Sequence, residues 1–221
     1  FATSVASAGD VNGDGYDDVV VGAPEFGNED VAEGRVYLYL GSASGLAASP
    51  AWNVESDRSF ALLGGSVAGA GDVNGDGFAD VIVGAPGFTN GEFHESEALV
   101  YLGSAGGLAA SPVWHAEGDA FLASVGSSVA SAGDVNGDGF ADVIVGAIGF
   151  SNDQVREGRV FVFLGSPTGL AQSPAWFVDG DQQDSQFGQS VASAGDVNGD
   201  GFGDVIIGAP YITDPEGFEG R

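Results

Sequence analysis

The chain has 221 residues, 43% of them hydrophobic, which is enough to bury the core of one large all-β domain or two smaller ones. Against 32 acidic residues stand five basic ones, all arginine (Arg35, Arg58, Arg156, Arg159 and Arg221), for a net charge of −27. That balance excludes recognition of nucleic acid through its phosphates and disfavours an anionic membrane surface, and the absence of cysteine excludes disulfide and thiol chemistry.

Glycine accounts for 39 residues, against an ordinary share of ~7%. It returns at fixed places, which marks tight turns rather than low complexity. The period is 62 residues, giving repeats 1–62, 63–124, 125–186 and a partial 187–221. Residues 128–147 and 190–209 agree at 18 of 20 positions.

Each repeat predicts four strands. The first, residues 4–8, carries small side chains suited to a place where several sheets converge. After a loop at 10–18 comes a second strand, 18–22, apolar at successive positions, as in a strand buried on both faces. The third, 36–40, is again continuous, with counterparts at 98–102 and 160–164. In the fourth, 51–55, Trp52 and Val54 alternate with Asn53 and Glu55, as in an outer, half-exposed strand. The link between third and fourth also repeats, with Leu46 and Trp52 and their counterparts expected to plug neighbouring sheets. Four antiparallel strands per repeat, joined by Gly-rich turns, predict an all-β fold. The form expected is a β-propeller of four-stranded blades, three full and half of a fourth.

The loop at 10–18 reads Asp-Val-Asn-Gly-Asp-Gly-Tyr-Asp-Asp and returns at 72–80, 134–142 and 196–204. Oxygen side chains fall at its positions 1, 3, 5 and 9 and glycine at 6. A hard cation such as Ca2+ takes about six to eight oxygen ligands from such loops. The side-chain ligands expected are Asp10, Asn12, Asp14 and Asp18, then Asp72, Asn74, Asp76 and Asp80. The third and fourth sets are Asp134, Asn136, Asp138 and Asp142, and Asp196, Asn198, Asp200 and Asp204. Position 7 (Tyr16, Phe78, Phe140 or Phe202) would add a backbone carbonyl, by analogy with an EF-hand loop. An EF-hand itself is excluded, because position 12 is Val21, Val83, Val145 or Ile207 instead of Glu, and a strand follows instead of a helix. Plain Asx and glycine turns are the alternative, but turns alone do not require aspartate at positions 1, 5 and 9 four times over. About four Ca2+ per chain follow, and they would offset part of the charge and stabilise the fold. Loops of this kind suit millimolar calcium, which points to an extracellular or cell-surface setting.

The unit resembles the FG-GAP repeat of integrin α-subunit propellers and their bacterial relatives. Phe187-Gly188 carries the first half of that motif, altered to Phe1-Ala2, Leu63-Gly64 and Val125-Gly126. Gly22-Ala23-Pro24, Gly84-Ala85-Pro86 and Gly208-Ala209-Pro210 carry the second, and the third copy departs with Ile148 in place of proline. The cation loop is intact in all four. The resemblance covers the whole chain and implies a non-enzymatic adhesion or recognition domain, with the partner on the face away from the calcium loops.

Antiparallel order also puts the cation loops and the Gly-Ser…Ser-Pro links on one face. The loops on the other face vary between repeats, and binding residues favour variable loops over a rigid scaffold. That face is acidic: Glu25, Glu29, Asp30, Glu33, Glu92, Glu95, Glu97, Asp153, Glu157, Asp181 and Asp184 lie in it. A protein partner there should be basic or bridged by a cation. A glycan is the alternative ligand, stacking on Phe26, Phe88, Phe93 or Phe150, and an accessory domain of a secreted enzyme is a third reading. No nucleophile elbow appears, His94 beside Glu92 and Glu95 is a weak metal candidate, and no pair of acids is singled out for glycosidase work. Phe1 aligns with Phe187 and residues 33–35 with 219–221. The ring is therefore expected to be incomplete, closed by further blades, as in a seven-bladed parent, or by another chain.

Overall fold

Short β-branched runs between Asp and Gly turns become strands throughout; among the described residues there is no helix. The computed structural model describes residues 2–28, 30–89, 96–118, 123–214 and 217–218. Strands β1 (Ser4–Gly9), β2 (Asp18–Ala23), β3 (Arg35–Tyr39) and β4 (Trp52–Glu55) form the first sheet, in that order and antiparallel. The second holds β5 (Ser66–Gly71), β6 (Asp80–Ala85), β7 (Glu97–Tyr101) and β8 (Trp114–Glu117). The third holds β9 (Val125–Gly133), β10 (Asp142–Ala147), β11 (Arg159–Phe163) and β12 (Trp176–Asp179). A pair follows, β13 (Ser190–Gly195) with β14 (Asp204–Gly208), and then a two-residue ribbon, β15 (Thr213–Asp214) with β16 (Gly217–Phe218). The sheets do not close, and the architecture is that of a partial β-propeller.

The third strands begin one residue earlier than the apolar run suggests, at Arg35, Glu97 and Arg159. The ladder extends to these polar residues opposite Glu55, Glu117 and Asp179; Arg35 and Arg159 face an opposite charge there, whereas Glu97 faces a like one.

The small-residue strands converge as expected: β1 packs on β5, β5 on β9 and β9 on β13. Ser4 Oγ donates to Gly64 O at 2.7 Å, and Ser66 and Ser128 repeat the bond one sheet further on. Gly22 must be glycine, because a Cβ there would collide with the Gly64 carbonyl.

Successive apolar residues of each second strand serve opposite neighbours. Val81 and Val83 pack with Val20, Val36 and Leu38 of the first sheet. Ile82 points the other way, into a cluster with Val143, Val145 and Phe163 of the third. Ile144, Val160 and Val162 then meet Val191, Val205 and Ile207. Alternation would have left one face wet; continuous burial makes the second and third sheets each a filling between two neighbours.

The plugs act in opposite directions. Trp52 Nε1 donates to Ala109 O at 3.1 Å and the ring meets Tyr101 edge-on at 5.1 Å. Trp114 does the same to Ala171 O at 2.9 Å and Phe163 at 4.8 Å. Leu108 and Leu170 plug backward, into the cluster shared with the preceding sheet. Among the described residues Trp176 is 45% exposed and Leu46 55%, since no third strand pairs with β14 beside the one and no described sheet packs beside the other.

Candidate metal centre

Each loop is a cradle of backbone N–H groups around its first aspartate. Gly13 N and Asp14 N donate to Asp10 Oδ1 at 2.7 and 3.1 Å, and Gly15 N donates to Oδ2 at 2.7 Å. Asp14 N also donates to Asn12 Oδ1 at 2.9 Å, and Asn12 Nδ2 to Asp14 Oδ2 at 3.0 Å. Tyr16 N donates to Asp14 Oδ1 at 3.0 Å. The same bonds recur at Asp72, Asn74 and Asp76. They recur at Asp134, Asn136 and Asp138, with Phe140 N closing the turn. The set at Asp196, Asn198, Asp200 and Phe202 is alike. Gly13 and Gly15 take φ of +73° and +89°, a backbone that only glycine adopts without strain.

The ninth residue is placed differently. Asp18, Asp80 and Asp142 are fully buried behind their loops. Asp18 Oδ2 accepts from Val11 N at 3.0 Å, and Oδ1 from Gly41 N at 2.8 Å, 23 residues away. Asp80 and Asp142 repeat both bonds, to Val73 and Gly103 and to Val135 and Gly165. The described structure gives Asp204 the first, to Val197 N at 2.8 Å.

Electrostatics separate the two kinds of aspartate. For Asp10, desolvation works to raise the pKa, but N–H bonds from Gly15, Asp14, Gly13 and Asn12 outweigh it and hold the carboxyl below its ordinary value. Burial pushes Asp80 up to about 6; N–H bonds from Gly103 and Val73 oppose this, and the charges of Asp76 and Asp72 add to it. Asp18 and Asp142 are raised for the same reasons.

The donor set fits a hard divalent cation. No arginine lies in any of the four loops, so four like charges in the first loop and three in each other lean on one another, offset by backbone N–H groups and the asparagine amide and by no cationic side chain. An ionised carboxylate has about four lone-pair directions. The bonds above leave two free on Asp18, two on Asp14, one on Asp10 and one on Asn12 Oδ1. Among the described residues no three carboxylates or imidazoles already converge on one point, so the fit rests on spare acceptors and not on a preformed cage.

Three contributions to these loops were not legible in the sequence. The position-7 ring caps the preceding loop: a Cβ on Gly13 would meet the Phe78 ring, and Gly75 and Gly137 face Phe140 and Phe202 alike. Ala79 N donates to Asp10 O at 3.0 Å, so consecutive loops share a hydrogen bond. The N–H of Gly41, Gly103 or Gly165 is the third, and its constant 23-residue distance from the ninth aspartate was the available signal.

On the opposite face the expected acidic surface needs correcting. Glu33 and Glu157 are only 4% and 2% exposed. Glu33 Oε1 accepts from Asn28 N at 2.9 Å, and Glu157 Oε1 from Asn152 N at 2.8 Å and Asp153 N at 3.2 Å. They brace their own loops and are not available to a partner. Asp184 is tied to Arg156 at 2.8 Å. The rings of Phe26 and Phe150 each carry a guanidinium, of Arg35 and Arg159, at 3.8 Å from the centroid. Those guanidiniums cover one side of the rings expected to stack on sugar. His115, on β8, stands 3.8 Å from Glu117. Phe1, Glu29, Glu92, Phe93, His94, Glu95 and residues 219–221 lie outside the described residues.

Comparison with known proteins gives the same motif. The FG-GAP repeat matches residues 1–39, 63–102, 125–163 and 187–217. Integrin alpha-5 of Xenopus laevis is 33% identical over 230 residues, covering all of this chain and 21% of the relative. Integrin alpha pat-2 of Caenorhabditis elegans and integrin alpha-V of Gallus gallus are each 32% identical over 92% of the chain, which covers 17% and 19% of their lengths. The chain thus spans about a fifth of the curated relatives it matches. Four matched repeats and these relatives show that the chain belongs to the FG-GAP repeat family.

Proposed function

We propose that this propeller segment is a calcium-stabilised scaffold for adhesion or protein recognition outside the cell, with no catalytic role. Each loop at 10–18, 72–80, 134–142 and 196–204 takes one Ca2+ through its residues at positions 1, 3, 5 and 9 and the position-7 carbonyl. The observation that carries the metal assignment is the buried ninth aspartate. Asp18, Asp80 and Asp142 sit at 0% exposure beside two further carboxylates with no cationic side chain in the loop, an arrangement that a divalent cation relieves. Recognition is assigned to the face with the variable loops, because the integrin alpha relatives share the repeat and this face varies far more from sheet to sheet than the other.

Calorimetric titration with CaCl2 tests the first part. Uptake of about four ions per chain is expected, with chelation lowering the melting temperature and calcium restoring it. Asp76→Ala should remove one site and leave the others. No heat of binding at millimolar calcium would overturn the assignment. Cell attachment to surfaces coated with the chain tests the second part. Charge reversal at Asp153 or Asp181 should alter attachment and its salt dependence, whereas changes in the Gly-Ser…Ser-Pro links should not.

A further inference from the structure

The buried ninth aspartates are joined to one another. Val11 gives its N–H to Asp18 at 3.0 Å, and its carbonyl accepts from Ser104 N at 3.0 Å. Gly103, the residue before Ser104, gives its own N–H to Asp80 at 2.9 Å. Asp80 also accepts from Val73 N, Val73 O accepts from Ser166 N at 3.1 Å, and Gly165 N reaches Asp142 at 2.8 Å. One line of hydrogen bonds therefore runs from Asp18 through Asp80 to Asp142, crossing from the first sheet to the second and from the second to the third. It has little slack. A Cβ on Gly103 would collide with the carbonyls of Ala79 and Val11, and one on Gly165 with those of Ala141 and Val73.

A second tie runs along the loops themselves. Ala79 N, at position 8 of the second loop, donates to Asp10 O, at position 1 of the first, at 3.0 Å. Ala141 N does the same to Asp72 O at 3.0 Å, and Gly203 N to Asp134 O at 2.6 Å. The Phe78 ring closes over Gly13, and those of Phe140 and Phe202 over Gly75 and Gly137. Each of the first three loops is thus covered by the seventh and eighth residues of the next loop. Those two residues belong to the segment that the next loop must fix when its own carboxylates are drawn together.

We propose that the four loops act as one coupled row, in which ordering one loop tightens the loop before it, so that calcium is taken up with positive cooperativity. The inference rests on the calcium reading and adds how its sites act on one another. A loop whose neighbour is already fixed has less conformational entropy to lose on binding, and the coupling is reciprocal along the row. Charge works the other way, because each ion taken up removes negative potential that draws the next. That effect acts through solvent between exposed loops and is screened beyond about 8 Å at physiological salt. The hydrogen bonds and ring contacts are direct, so contact coupling prevails and the cooperativity should sharpen as salt rises.

The test follows the amide signals of Gly15, Gly77, Gly139 and Gly201, one per loop, by NMR while CaCl2 is titrated into the intact chain. Each should change more steeply than independent sites allow, and more steeply in high salt than in low. Phe78→Leu keeps every oxygen of its own loop, since position 7 would lend only its backbone carbonyl. It should weaken calcium binding at Gly15 about fivefold and flatten that curve, with four ions still bound. Tyr16→Leu is the matched control: its ring covers no loop glycine among the described residues, and the other three loops should bind as in wild type. If Phe78→Leu does not fold, Phe140→Leu read at Gly77 repeats the experiment one sheet further on. Hydrogen exchange without calcium gives a readout free of the metal, and Phe78→Leu should speed exchange at Gly13 and leave Gly201 unchanged. Independent filling of four sites, cooperativity lost as salt rises, or a Gly15 curve in Phe78→Leu equal to that of wild type would overturn the coupling and leave the metal reading standing. No uptake of calcium would overturn the metal reading, and unchanged exchange at Gly13 would by itself decide against the coupling.

Discussion

Replacing Asp80 tests how much the buried ninth aspartate contributes by itself. Its carboxylate accepts from Val73 N at 2.8 Å and Gly103 N at 2.9 Å, and so pins the start of the loop to the end of β7. Asp80→Ala strands both N–H groups, in a site where Asp80 and Val73 are 0% and 1% exposed. Each stranded buried donor costs about 1–3 kcal/mol, so the variant should lose roughly 2–6 kcal/mol. For a domain of this size that is a fall in melting temperature on the order of 5–20 °C. Asp80→Asn separates the hydrogen bonds from the charge. Its carbonyl satisfies one N–H while its amide faces the other, but it removes the repulsion from Asp72 and Asp76. Without calcium it should therefore lie between wild type and Asp80→Ala, and calcium should stabilise it less than it stabilises wild type. Thermal and urea unfolding of the three proteins, each with EDTA and with millimolar CaCl2, gives the comparison. An Asp80→Ala midpoint indistinguishable from wild type in EDTA would refute the structural role. An Asp80→Asn response to calcium equal to that of wild type would refute the ligand role.

Trp114→Ala removes a plug that is 3% exposed and bonded to Ala171 O, and should cost about 3–5 kcal/mol in urea unfolding; Trp176→Ala, at 45% exposure, should cost clearly less. Gly75→Ala should lower the melting temperature more than Gly77→Ala. Both have positive φ, but only at Gly75 would the new Cβ meet a ring, that of Phe140. The calcium-free chain should become more stable as the pH falls from about 7 towards 4, read from urea midpoints. Asp80 is raised from 3.8 to about 6 and Glu97 from 4.5 to about 7; the folded state therefore holds protons that the unfolded chain has released, and stability declines as pH rises through those values. Calcium should reverse the trend at the loops, since its ligands must be ionised.

The sequence by itself determined the period, the four strands of each full repeat and the aspartate, asparagine and glycine pattern of the loops. These rest on local chemistry: glycine for positive φ at positions 4 and 6 of the loop, aspartate and asparagine for its turns, β-branched runs for strands buried on both faces. The ion pairs of Arg35 with Glu55 and Arg159 with Asp179 were half legible, since the arginines stand two periods apart and each has an acid 20 residues on. What only the tertiary structure decided is how equivalent residues differ in place. Asp10 and Asp18 are the same residue type eight positions apart, yet one faces solvent among N–H donors and the other is buried because Gly41, on a distant link, reaches its second oxygen. Glu33 and Glu25 read alike in a variable loop, but Glu33 turns inward to hold Asn28 N. Trp52, Trp114 and Trp176 occupy one position in the repeat, and the sheet that follows each decides whether it is covered. Burial and long-range hydrogen bonds depend on neighbours far along the chain, and a one-dimensional pattern carries no record of those neighbours.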